Sequence, residues 1–341
     1  MSRESGSMSA FVWRGGAEVG VEEVPRPAAS DGWALVDVAF SGICGTDLHI
    51  CAGEHPRAEA PLVVGHEFVG TVHEAAGGFA AGQPVVIEPL LNCGRCAPCR
   101  GGTPHVCESL RLIGIDVPGG IAEQVAVPLD RLVALPEGME LDRAAFVEPL
   151  AVAVHAVRRS EVRLGDRVMV AGAGPIGLAV AGCARNAGAQ TVYVSEPARW
   201  RRQVASELGF EVLDPENPGA DLRGRTDGEG ADVVFDTAAH PAVAGSITSW
   251  AATGGRIVFV GTYGAPAALN LQEIVFRELD TVGCRVYTRR DVLTAVELLA
   301  SGRFDPTPLI TSTVALEEAP AALERLRAGD ELKVLIDGRS E

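Results

Sequence analysis

The sequence predicts an α/β protein with two domains, one β-rich and one built on a doubly wound parallel sheet. Three observations carry this expectation. From Ser9 to about Pro136, short apolar runs are separated by Gly, Pro and Asp. From Arg167 to Glu196, the stretch RVMVAGAGPIGLAVAGCARNAGAQTVYVSE reads as strand, glycine turn, helix and strand. The 341 residues, 47% of them hydrophobic, are enough for two sizeable cores.

The Arg167–Glu196 stretch organises the rest. Val168 to Ala171 form a short apolar run, as expected of a buried parallel strand. Gly172, Gly174 and Gly177 follow in G-x-G-x-x-G spacing, with Pro175 and Ile176 between the last two. Gly172 makes the tight turn, Gly174 lets a pyrophosphate approach the backbone, and Gly177 lets helix pack on strand. The helix runs from Ile176 to Ala187 and ends at Gly188; its N-terminus offers free N–H groups to phosphate. Thr191 to Ser195 is the second strand, closed by Glu196, 19 residues beyond Gly177. A carboxylate there accepts hydrogen bonds from adenosine ribose hydroxyls and repels a 2′-phosphate, so NAD is expected over NADP. The arginines at 199, 201 and 202 read mostly as a solvated face, but they lie near the adenosine end and compete with that expectation.

Further strands follow at FEVLD, ADVVFDTA, GGRIVFVG and LDTVGCRV, about six in all and enough for both halves of a dinucleotide fold. The tail from Asp291 returns to helix plus a short strand at Lys333–Ile336. On the amino-terminal side, the strand-like runs are AFVW, WALVDVAF, FVGTVHEA, QPVVIEP and AEQVAVPL. Residues before Met8 read as a tail.

Charge and composition exclude several classes. A formal charge of −16 argues against nucleic acid or anionic membrane as main partners. No apolar run reaches membrane-span length, and no apolar segment near the N-terminus resembles a secretory signal, so a cytoplasmic enzyme is expected. Lys333 is the only lysine, which disfavours Schiff-base chemistry. Of eight cysteines, four sit together in NCGRCAPCRGGTPHVC as Cys93, Cys96, Cys99 and Cys107. That spacing suits one closed tetrahedral zinc, a structural site, with an iron–sulfur cluster or disulfides as rivals.

Three other places carry chemistry. GICGTDLH puts Cys44, Thr46 and His49 in what reads as a glycine-rich turn. VVGHEF puts His66 beside Glu67. The helical stretch DRAAFVEPLAVAVHAVRR carries Glu148 and Pro149, and the proline is expected to interrupt a helix at or before Glu148. Glu148 there either meets a cation, stays protonated or caps the next helix, while His155 reads as a packed histidine. Thiolate, imidazole and carboxylate are zinc-type donors.

In this order, GICGTDLH, GHE, the four-cysteine lobe, VEPLAVAVHA and VAGAGPIG resemble the zinc-dependent medium-chain dehydrogenase/reductase superfamily over nearly the whole chain. Glu-Pro-Leu at 148–150 looks like the sorbitol and butanediol dehydrogenase branch, while CGTDLH is shared with threonine dehydrogenases. The resemblance implies a GroES-like catalytic domain over 1–155 and 290–341, with the zinc lobe at about 88–110, and a Rossmann NAD-binding domain over 156–289. It implies an active site in the cleft between the domains. It implies a catalytic zinc held by Cys44 and His66, with Glu67 and Glu148 as the remaining candidates. Thr46 and His49 match proton-relay positions, Arg201 a basic residue near the adenosine ribose, and Lys333 a basic position near the pyrophosphate. The implied reaction interconverts a secondary alcohol, a polyol or vicinal diol, and its ketone with NAD. A homo-oligomer, dimer or tetramer, is implied as well. Two other readings stand beside this one: a catalytically silent NAD-binding relative, and the zinc-free quinone reductase branch, which lacks the four-cysteine lobe.

Overall fold

The computed structural model describes residues 6–339. The chain forms two compact units, one of residues 1–148 with 288–341 and one of residues 149–287. The first junction lies inside the helix Val147–Ser160, ahead of His155, and the second lies just before the helix Arg289–Ala300. Packing accounts for both positions. Phe146, just before the first helix, stacks on Phe304 with ring centroids 6.0 Å apart. Thr288 caps the second helix, its hydroxyl 2.6 Å from Asp291 Oδ2.

In the first unit a seven-stranded sheet runs in the order Leu132–Ala134, Pro84–Ile87, Glu67–Val72, Trp33–Gly42, Lys333–Asp337 and Ile310–Ala315, with Gln124–Pro128 also paired to Trp33–Gly42. Val36, Phe68, Val85, Ile87, Val125 and Leu132 form its core. The carboxy-terminal strand joins antiparallel to Trp33–Gly42, with Leu335 opposite Gly42, and Gly42 is opposite Glu67 on the other side. This register carries Lys333 to the metal-ligand candidates. The returning segment is also tied down at Glu88, which is buried between Arg131 and Arg289, each 3.1 Å away. The first strand, Ser7–Gly15, begins one residue before Met8; residues 1–5 of the expected tail lie outside the described residues.

The second unit is a six-stranded sheet in the order Glu211–Val212, Thr191–Ser195, Arg167–Ala171, Ala231–Asp236, Ala251–Phe259 and Asp280–Gly283. All five neighbouring pairs are parallel. Met169, Leu213, Val234, Ile247, Trp250 and Ile257 pack in its core. The order reverses between Arg167–Ala171 and Ala231–Asp236, the switch point at which this fold takes a dinucleotide. Among the described residues, no helix is long and apolar enough to cross a membrane.

One expectation needs correction. GICGTDLH is not a glycine-rich turn: Gly45–Cys51 is a helix with Cys44 at its N-cap. Asp47 explains this, because its Oδ2 accepts the Cys44 N–H at 2.8 Å and satisfies an end group of the helix. A helix is interrupted before Glu148, as expected of the stretch around Pro149. The break falls between Leu141–Ala144 and Val147–Ser160, and Pro149 lies in the first turn, where a missing N–H costs nothing.

Candidate metal centres and dinucleotide turn

The helix Gly45–Cys51 sets the first site. Its cap places Cys44 Sγ 3.9 Å from Thr46 Oγ1. Thr46 and His49 lie three residues apart and so share a helix face. His49 is exposed, with Nδ1 3.1 Å from Glu54 Oε2.

Cys44, His66 and Glu67 each bring a donor atom to within 4.8 Å of the others. His66 and Glu67 are buried and Cys44 is half-buried. Lys333 lies beside Glu67. It is 3% exposed, and its Nζ donates to Glu67 Oε2 at 2.5 Å and to Ile43 O at 3.0 Å. Two of its three N–H donors are used in this way. Burial disfavours the Lys333 charge, yet Glu67, Cys44 and Asp47 outweigh it and hold the group above its ordinary value. Gly42 makes the pair possible, since a Cβ there would strike Glu67 Oε2.

Asp47 is a site residue that sequence reasoning missed. It is fully buried, and its Oδ1 faces His66 Nδ1 at 3.5 Å. Burial pushes the His66 imidazole down, but Asp47 and Cys44 more than offset this and leave it well above its ordinary value. The pocket therefore favours positive charge at its centre, which is what a divalent cation supplies. A carboxylate behind a ligating histidine is also the usual orienting partner at zinc sites. Its signal in the sequence was an acid three residues after the cap position, inside the CGTDLH motif.

Glu148 is not among the three clustered donors. It is buried, in the first turn of Val147–Ser160, a carboxyl group at the positive end of a helix. His155, farther along that helix, is buried as expected.

The four cysteines of the lobe also cluster within 4.8 Å. The short helix Ala97–Arg100 and the turn Pro104–Val106 fold them together. Two Zn–S bonds of about 2.3 Å at a tetrahedral angle span about 3.8 Å. Cys96 Sγ lies 3.7 Å from Cys107 Sγ, so the set fits. Backbone N–H groups of Arg95 and Cys96 stabilise the Cys93 thiolate and lower its pKa to about 6. The N–H of Cys93 does the same for Cys107, 3.4 Å away. Two sulfurs thus lean towards thiolate, the form that binds zinc.

In the second unit, Gly172 has φ 104, which only glycine adopts without strain, and a Cβ on Gly177 would strike the Gly172 carbonyl. A Cβ on Gly174 would meet nothing within 4 Å, leaving open space beside the first turn of Pro175–Ala187, which also carries Ile176. Glu196 is buried at the end of its strand. Its Oε2 accepts the Ala173 N–H and its Oε1 the Ala198 N–H, both at 2.9 Å. Each oxygen has a further lone pair for a ribose hydroxyl. Arg201 lies over the Trp200 ring at 5.2 Å, and Arg202 donates to the Glu196 carbonyl at 2.9 Å.

Comparison with known proteins agrees with this geometry. The alcohol dehydrogenase GroES-like domain family matches residues 30–137, and the zinc-binding dehydrogenase family matches residues 175–301. The chain is 37% identical to a 2-dehydro-3-deoxy-L-galactonate 5-dehydrogenase of Pseudoalteromonas atlantica, over 98% of this chain and all of the relative. It is 34% identical to an L-threonine 3-dehydrogenase of Bacillus subtilis, over 98% of this chain and 99% of the relative. A zinc-binding dehydrogenase from Sinorhizobium meliloti, solved with NADP bound, superposes with a TM-score of 0.91 at 33% identity, covering 97% of this chain and 99% of that one. With both domain families matched in order and full-length relatives above 30% identity, the chain belongs to the zinc-dependent medium-chain dehydrogenase/reductase superfamily, polyol dehydrogenase-like, and is a zinc- and nicotinamide-dependent alcohol dehydrogenase.

Proposed function

We propose that the protein interconverts a secondary alcohol bearing neighbouring hydroxyls, a polyol or vicinal diol, and its ketone, with NAD as the preferred acceptor. The observation that carries this reading is the donor set Cys44, His66 and Glu67, a thiolate, an imidazole and a carboxylate within 4.8 Å. Carboxylate oxygen is harder than sulfur and can swing on and off a metal, so this set suits a coordination number that rises to five. Such a site accommodates two neighbouring oxygens of one substrate. The sugar-acid relative from Pseudoalteromonas supports the same substrate class.

When bound, zinc supplies Lewis acidity that lowers the pKa of a substrate hydroxyl, and NAD supplies the hydride acceptor. The chain's own residues do the rest. Cys44, His66 and Glu67 would hold the metal, with Lys333 supporting the Glu67 carboxylate. Glu148 contributes a further carboxylate to the substrate site. Thr46 takes the proton from the substrate hydroxyl, and His49, at the surface, passes it to solvent. Gly172, Gly174, Pro175, Ile176 and Gly177 receive the pyrophosphate, and Glu196 the adenosine ribose, with Arg201 beside it. Cys93, Cys96, Cys99 and Cys107 hold the structural zinc.

Catalytic efficiency on each 2,3-butanediol isomer, sorbitol and an inositol, set against 2-butanol, tests the substrate class. Equal or better activity on 2-butanol would remove the diol assignment. The Bacillus relative favours a second reading, oxidation of L-threonine, so that amino acid belongs in the same panel.

A further inference from the structure

Asp236 ends the strand Ala231–Asp236 and is fully buried. That strand opens the half of the sheet beyond the switch point. The half before it carries the glycine turn and Glu196 and suits adenosine, which leaves the second half for the nicotinamide nucleotide.

Asp236 gathers two loops at this edge. Its Oδ1 accepts the N–H groups of Ala238 at 3.1 Å and Ala239 at 2.9 Å. Its backbone carbonyl accepts those of Val260 at 2.9 Å and Gly261 at 3.0 Å, just after the strand Ala251–Phe259. Its Oδ2 accepts the Tyr263 hydroxyl at 2.5 Å, and that hydroxyl also lies 3.4 Å from the His240 carbonyl. The loops press on each other: Ala239 has φ 50, unusual for a residue with a side chain, and a Cβ on Gly261 would lie 2.8 Å from Ala239 Cβ. Strain of this kind is kept where a site needs it. Next to Asp236, Thr237 Oγ1 donates to the Ala171 carbonyl at 2.7 Å, which ties the same edge to the glycine turn. Burial and the Asp236 charge both push Tyr263 ionisation up, so the phenol remains a donor.

We propose that the Asp236–Tyr263 hydrogen bond holds the loop after Ala251–Phe259 in the shape that receives the nicotinamide half of the cofactor, making Tyr263 a positioning residue for nicotinamide. The proposal rests on the dinucleotide reading of the second unit. It predicts a selective defect, because the adenosine half binds on the other side of the switch point.

The test is Tyr263→Phe in the zinc-loaded full chain, titrated separately with NADH and with ADP-ribose, which lacks only the nicotinamide. Loss of one charge-assisted hydrogen bond should weaken NADH about tenfold and leave ADP-ribose unchanged. Asp236→Asn should weaken NADH in the same selective way. If that variant folds poorly, Tyr263→Phe, which removes one hydroxyl from a half-buried side chain, still decides the question. NADH affinity unchanged in Tyr263→Phe, or NADH and ADP-ribose weakened equally, overturns the proposal. Wild-type protein that binds ADP-ribose but gains nothing from the nicotinamide overturns it by a separate route, through the assignment of the second half. Wild-type protein that binds neither molecule removes the dinucleotide reading itself.

Discussion

The Lys333 ammonium meets the Glu67 carboxylate at 2.5 Å, with both residues buried and 266 positions apart in the sequence. The contact exists because the last strand lies beside Trp33–Gly42, which in turn pairs with Glu67–Val72. A lone charge in that position would be costly, so each partner depends on the other. Lys333→Met should lower folding stability by roughly 3 kcal/mol or more, read from urea unfolding, because it leaves the Glu67 oxygen that Lys333 holds buried without that partner. A variant as stable as wild type would show that Glu67 finds another partner.

Asp47 stands behind His66 and accepts the Cys44 N–H, so it orients two of the three clustered donors. Asp47→Asn keeps an acceptor for the cap but removes the charge facing the imidazole. It should weaken zinc retention at this centre by about 10- to 100-fold in chelator competition, with the circular dichroism spectrum unchanged. Zinc held as tightly as in wild type would reduce Asp47 to a capping residue.

The two cysteine sets should fail differently. Cys96→Ser opens a closed site whose metal contributes to folding, and the variant should aggregate or melt early. Cys44→Ser should remove turnover while the protein remains folded and keeps the lobe zinc. A Cys44→Ser protein with normal turnover would rule out Cys44 as a ligand of the catalytic metal.

Glu196 should favour NAD over NADP in the ratio of catalytic efficiencies, since its buried carboxylate would face a 2′-phosphate. Glu196→Ala should narrow or reverse that ratio, because it removes the repulsion and leaves Arg201 and Arg202 nearby. A clear NADP preference in the wild type would overturn the assignment; the NADP-bound relative from Sinorhizobium makes the comparison worth running.

Much of this was legible in the sequence for physical reasons. A buried parallel strand must be an apolar run, and a phosphate-binding turn must be glycine-rich, so Arg167–Glu196 could be read residue by residue. The four cysteines announced themselves by spacing. What escaped were contacts made by register and capping. The pairing of Lys333 with Glu67 could not be read, because nothing local indicates which strand lies beside the last one. GICGTDLH looked like a turn because its glycines outweighed the single acid, Asp47, that caps the helix. The helix interruption before Glu148 was legible from Pro149, but the start of the next helix at Val147 was not, because proline is tolerated throughout a first turn.

One preparation tests whether the chain is a working zinc dehydrogenase that favours polyols. Zinc per chain is measured by elemental analysis, and NADH formation is followed on the same sample with a panel of secondary alcohols, diols, polyols and L-threonine. Two zinc ions per chain are expected, with NADH produced fastest from a substrate bearing neighbouring hydroxyls. Protein that carries both zinc ions and binds NAD, yet reduces none with any member of the panel, would contradict this expectation.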